Sequence, residues 1–200
     1  MTIQGVPIRE MIDQSMTVLT KPSVPSFEEY EKRGGLREGL TYVGVAAAIA
    51  GVVGLLGGLI TGGVLGGIAA LIGAVLSVVL GYLVFGFLIF FIGKQFGGTG
   101  SQDEVLYSTA LYAAPIQAVV GVVNAIPLLN CLAAPAVLVL GIYQIYLGYL
   151  ATRASMNLTQ NNAIITLVLA FLAQVVIGVI VGVILGVIFG VGAAAGGAIQ

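Results

Sequence analysis

From Leu40 to Ile92 the chain carries no Asp, Glu, Lys, Arg or His. A membrane helix needs only about 20 apolar residues to cross the hydrocarbon core. The run is therefore too long for one crossing and suits two. A water-soluble fold is excluded by the same feature, because its surface needs charge, about 25% of residues in ordinary globular domains. Here only 8% of residues are charged and 59% are hydrophobic, so lipid is the main solvent.

The few charges are unevenly placed. Eleven of the fifteen lie between Arg9 and Glu38, and beyond them only Lys94, Asp103, Glu104 and Arg153 remain. This divides the chain into a polar arm, residues 1–38, and a membrane domain, residues 39–200. The N-terminus is mixed and polar, unlike the basic patch and apolar run of a cleavable signal.

The first long run turns best at "TGG", Thr61 to Gly63, which predicts spans near 40–60 and 64–93. Further spans are expected near 105–123, 132–151 and 163–190. The expected fold is all-α, a polytopic membrane helical bundle of about five transmembrane helices with a short amphipathic N-terminal arm. Five spans allow a test by charge, since cytoplasmic loops collect Lys and Arg. With a cytoplasmic N-terminus, all seven basic residues fall on one side, and the opposite loops, "TGG" and "NAIPLLN", hold none. The C-terminus is then extracytoplasmic. "NLT" at Asn157 to Thr159 matches a glycosylation acceptor, but it falls in a cytoplasmic loop and reads as a chance match.

In the arm, Ile8, Met11, Ile12, Ser15, Met16 and Leu19 cluster near one helical face, with Pro7 suited to the first turn. That stripe fits an interfacial helix on the headgroups or a helix packed on the protein's own bundle. "SFEE" has capping-box form, with Ser26 as N-cap and Glu29 three residues on, and Gly34 and Gly35 end that helix.

Two ladders of small residues mark the spans. Gly54, Gly58, Gly62 and Gly66 recur every fourth residue, as do Gly178, Gly182, Gly186 and Gly190. Small residues at this spacing let another backbone approach closely, within the chain, between copies, or against another membrane protein. The first ladder crosses the expected turn and so serves two helices or places the turn elsewhere. Polar groups in the spans are amides and hydroxyls, which ordinarily bond helix to helix. Gln117 and Asn124 flank the stretch between Pro115 and Pro127, where a broken helix would line a cavity for lipid or a small molecule.

The polar stretch "KQFGGTGSQDEV", residues 94–105, invites comparison with phosphate loops. Gly93–Lys94 is followed by Gln95, and Leu88 stands where a Walker loop needs its first glycine. A dinucleotide fingerprint from Gly98 would place Asp103 at its third glycine. Both fail. A connector accounts for the residues better: the glycines reverse the chain, Ser101 caps the next helix and Glu104 completes S-x-x-E. Asp103 and Glu104 favour the positive helix end, and Lys94 snorkels to the headgroups. Cys131, alone and without any histidine, gives neither a disulfide nor a zinc ligand set and reads as an apolar filler. No catalytic, cofactor or metal site is expected, and no nucleic-acid partner.

"GKQFGGTGSQDEVLYSTALYAAP" resembles the loop and third-span signature of the Yip family, membrane proteins that interact with Ypt/Rab GTPases. The matching residues are Gly98, Gly100, Ser101, Leu106, Tyr112 and Pro115, with Lys94 and Glu104 in the same loop. The likeness continues through "AIPLLN" and "GIYQIYLGYLATRASMNLTQNNAI", and spans roughly residues 10–190. The resemblance implies five spans and a cytosolic N-terminus, and for eukaryotic members a role in vesicle traffic with Rab GTPases and fellow members as partners. This arm is only about 38 residues long and lacks the Asp-Leu-Tyr-Gly-Pro motif of many such members. It is more similar to short prokaryotic members of the plasma membrane, so Rab binding is carried over to no residue. The function expected is a non-enzymatic membrane organiser or scaffold, acting through helix packing and its cytoplasmic face. The alternative is a small transporter or lipid-handling protein using residues 115–127.

Overall fold

The computed structural model describes residues 5–125 and 127–197, and side-chain surroundings within them except at 125–131, 182 and 184–197. The regular elements in that range are six helices: α1 (Ile8–Thr20), α2 (Val24–Glu28), α3 (Leu36–Gln95), α4 (Gln102–Ala125), α5 (Pro127–Ser155) and α6 (Gln160–Gly197). Among the described residues, α3 to α6 are the four helices long and apolar enough to cross a membrane.

A straight 60-residue helix would be about 90 Å long, three times the hydrocarbon thickness. α3 avoids this by breaking at Gly62 (φ −134°, ψ 16°) and Gly63 (φ 61°, ψ −159°). The left-handed φ at Gly63 is one that side chains rarely adopt, so glycine is needed there. The two arms of α3 then lie antiparallel, with Gly51 facing Leu71 and Val75, Gly54 facing Ala70 and Ala74, and Gly58 facing Gly66. The first ladder is thus shared between both arms of one hairpin. Gly62 is a correction: it has no neighbour within 4 Å of a Cβ position and belongs to the bend, where the helical face no longer exists.

α4 sits at the centre. Residues 105–114 are all buried, enclosed by both arms of α3, by α5 and by α1. In the stretch between Pro115 and Pro127, α4 continues through Pro115 to Ala125, so the change of helix falls at the far end of that stretch. A proline removes one ladder hydrogen bond, and the surrounding helices hold the rod despite that loss. Only residue 126 lies between α4 and α5, where a loop over "NAIPLLN" was expected. Pro127 opens α5, a position where its missing N–H costs nothing.

The arm packs on the bundle. α1 buries Met11, Gln14, Ser15 and Val18, while Ile8, Ile12 and Met16 are exposed. The buried face is therefore rotated from the apolar stripe read in the sequence. The cause is a polar contact: the Tyr107 hydroxyl donates to Gln14 Oε1 at 2.7 Å in a buried setting, which draws the glutamine inward. Tyr143 donates similarly to the Leu19 carbonyl, and Phe27 of α2 meets Tyr112 edge-on at 6.3 Å. The N-cap of α2 is also corrected. Ser23, not Ser26, takes that place, accepting from the Ser26 N–H at 3.2 Å. Pro25 inside the first turn fixes the earlier start, and the Ser26 hydroxyl donates to the Lys21 carbonyl instead.

Candidate functional site: the polar end of the bundle

All seven basic residues lie on α1, its linker to α3, or the helix ends and loops at one pole of the bundle. Three chain segments meet there: the arm, the loop 96–101 and the loop 156–159. The two loops are joined backbone to backbone through Thr99 and Met156, and the arm is joined to α4 through the Asp103 side chain.

The S-x-x-E cap of α4 forms in both directions. Ser101 Oγ accepts from the Glu104 N–H at 3.2 Å, and Glu104 Oε2 accepts from the Ser101 N–H at 2.9 Å. Each half satisfies a donor that a helix start leaves free. Asp103 does more than favour its own helix dipole. Its Oδ1 accepts from the Leu36 N–H at 2.9 Å, and so caps α3 from across the junction. Glu38 accepts from the Gly35 N–H at 3.0 Å, completing that helix start. Since Gly35 is in contact range of Asp103 and Gly34 lies against the Tyr107 ring, the Gly-Gly pair lets the arm's backbone touch α4.

The loop glycines act differently from one another. Gly97 has φ +86° with open space around it, so it is needed for conformation. Gly100 is pressed against the Ser155 carbonyl, and Gly98 against Met156 and the Gly93 carbonyl. The Thr99 N–H donates to the Met156 carbonyl at 3.0 Å, and Asn162 Nδ2 to the Phe96 carbonyl at 3.0 Å. Asn157 turns the chain with φ 52°, a conformation asparagine tolerates better than most side chains. The asparagine of "NLT" thus has a conformational role that the motif match concealed. Lys94 is exposed, its ammonium 5.4 Å from the Phe90 ring centroid.

The other signature residues lie deeper. Leu106 and Tyr112 are fully buried, with Gly86 leaving room for Leu106. Pro115 is half-buried within α4. Gln117 lines two adjoining cavities further down, whereas Asn124 is exposed at the smaller one. On α6, Gly178 has no neighbour among the described residues within 4 Å of its Cβ position, so it serves no packing against them. The surroundings of Gly182, Gly186, Gly190 and Cys131 lie outside the described residues.

Among the described residues no group of three or more His, Cys, Asp or Glu side chains is placed to hold a metal. One carboxylate is nonetheless unusual. Glu31 is only 3% exposed, and its Oε2 has no hydrogen-bond partner among the described residues. Lys32 Nζ reaches Oε1 only at 3.8 Å from an exposed position. Burial, and then the negative charge of Glu104, push the carboxyl above the usual glutamate range, with Lys32 partly offsetting them. A raised folded-state pKa means that the folded protein holds the proton more tightly, so stability falls as pH rises through the raised value. Glu31→Gln is expected to raise the unfolding temperature at neutral pH and to flatten its decline from acid to neutral pH. An unchanged pH profile in detergent-solubilised protein would refute this.

A bundle of long apolar helices, with its charges confined to a capped and interlocked pole, defines a polytopic integral membrane protein. A model of the Yip1 domain matches residues 16–182. The chain belongs to the Yip family. No curated protein and no solved structure gives a match.

Proposed function

We propose that the protein is a non-enzymatic membrane organiser that presents its polar pole to a protein partner on the cytoplasmic side. The observation that carries this reading is the junction itself: arm, 96–101 loop and 156–159 loop are tied by backbone hydrogen bonds and cross-caps. Such a surface is ordered before a partner arrives, which lowers the entropy cost of binding. Its exposed rim carries both signs of charge, with Arg33 paired to Glu10 at 3.4 Å and to Glu29 at 3.8 Å. Exposed pairs of this kind add little stability and are free to set partner choice.

The basic residues at this pole support a cytoplasmic orientation for it. The C-terminal end of α6 is then extracytoplasmic. Helix packing is the second element of the reading. Gly178 has no neighbour among the described residues within 4 Å of its Cβ position, which leaves that part of α6 for lipid, another copy or another membrane protein. A Rab-type GTPase is not assigned.

Photocrosslinkers placed at Lys94 and at Lys32, one on each side of the junction, test the proposal in native membranes. The expected result is the same protein adduct from both positions, lost when Gly100→Ala opens the junction. Adducts with lipid alone would overturn it.

A further inference from the structure

Below the polar pole, α3, α4, α5 and α6 line a partly open cavity of about 700 Å³. That falls within the range of roughly 300–1,000 Å³ usual for small-molecule sites. Its wall is mainly apolar, but Ser77, Gln117, Gln144 and Gln174 also line it, one from each of these helices. No Asp, Glu, Lys or Arg is among the lining residues.

Depth makes these groups informative. At 1.5 Å per residue, Gln117 and Gln174 lie about 20 Å along their helices from the polar pole, and Gln144 about 16 Å. Within a hydrocarbon layer of about 30 Å, this is near the middle of the bilayer. Polar groups there need partners, because neither lipid tails nor bulk water supplies them. Gln174 is half served: Nε2 donates to the Gly81 carbonyl at 3.3 Å, while Oε1 is buried with no partner. The side chains of Ser77, Gln117 and Gln144 make no hydrogen bond to the described residues. Interhelical bonding, the ordinary use of such amides, therefore accounts for one bond among four side chains.

The cavity also has a side entrance. Ile145 of α5 and Val168, Phe171 and Leu172 of α6 line it and are exposed. The seam between these two helices opens toward lipid.

We infer that the cavity binds an uncharged single-chain lipid bearing hydroxyl or carbonyl groups, with its polar group at the amides and its chain toward the α5–α6 seam. A phospholipid does not fit this role. Its charged headgroup belongs at the interface, and the cavity offers no opposite charge to offset desolvation. Glutamine amides and a serine hydroxyl both donate and accept, which matches the hydroxyls and ester carbonyl of a monoacylglycerol. The inference does not depend on the scaffold reading, because it concerns the membrane core and not the polar pole.

The test uses full-length protein in nanodiscs with three diazirine probes on the same acyl chain: a monoacylglycerol, a fatty acid and a phosphatidylcholine. Saturable labelling by the monoacylglycerol is expected, on peptides from α4, α5 and α6, with competition by unlabelled monooleoylglycerol. The Gln117→Leu/Gln144→Leu double variant, which removes the polar partners and keeps similar bulk, should lose at least about tenfold of that labelling. Crosslinking from Lys94 and Lys32 should be unaffected by it. Equal labelling by phosphatidylcholine, or non-saturable labelling of the native protein, would mean that bulk acyl chains fill the space and would overturn the inference. Retained labelling in the folded double variant would do the same. Should the double variant fail to fold, the saturation and competition results on the native protein decide.

Discussion

Gly100→Ala protein should lose about 3 kcal/mol of stability, near the upper end for overpacking a tight site. A methyl group at this position would run into the Ser155 carbonyl oxygen and crowd the Met156 backbone. These are backbone atoms, one loop against another, so no side-chain rotation relieves the clash. The Thr99–Met156 hydrogen bond lies beside it and would be lost as the loops separate. Gly97→Ala provides the control. Its φ of +86° is strained for alanine, at a cost of roughly 1–2 kcal/mol, but nothing lies within 4 Å of the added methyl. SDS titration of the two variants in mixed micelles measures both. If Gly100→Ala were no less stable than Gly97→Ala, the interlocked pole would not exist as described.

The α3 hairpin should respond as sharply. In Gly58→Val the new Cβ would stand 2.5 Å from the Gly66 carbonyl oxygen, again backbone against side chain at the closest approach of two helices. Within lipid, helix association draws on packing and not on exclusion of water. Separating the arms therefore removes most of what joins them, and a loss of about 2–3 kcal/mol is expected. The geometry supplies a direct reporter. A Cβ at Gly54 would lie 3.8 Å from that of Ala74, close to the mean Cβ separation of a disulfide, about 3.8 Å. In a Cys131→Ala background, the Gly54→Cys/Ala74→Cys pair should oxidise readily, and adding Gly58→Val should suppress it. Gly62→Ala, in open space at the bend, should leave the crosslink intact. Equal crosslinking in the Gly58→Val protein would refute the close approach.

Two local readings hold in the structure. The S-x-x-E cap depends on atoms three residues apart, and both of its bonds form. The long charge-free run demands a reversal, and the helix does break at Gly62 and Gly63. Errors arose where a distant segment entered. Gln14 turns inward because Tyr107, 93 positions away, supplies a buried hydroxyl. α4 stays helical past Pro115 because its neighbours enclose it, and Asp103 caps a helix that begins 67 residues earlier. Even local chemistry misled at Ser26, where two serines three residues apart compete to cap and Pro25 decides for Ser23.

The same division runs through the candidate site. Membrane class, helical content and the gathering of positive charge follow from the sequence alone, because each is a sum over residues along one chain in a solvent of fixed thickness. The sequence reads Gly98 and Gly100 as part of a chain reversal, whereas of the loop glycines only Gly97 has a left-handed φ and Gly98 and Gly100 stand at close contacts. That the partner is the loop after α5, and that amides from α4, α5 and α6 line one cavity with Ser77 of α3, was decided only by tertiary packing. Helix propensity and hydropathy act within about a turn or a span. The register between helices depends on which surfaces meet, and residues far apart in the chain settle it together.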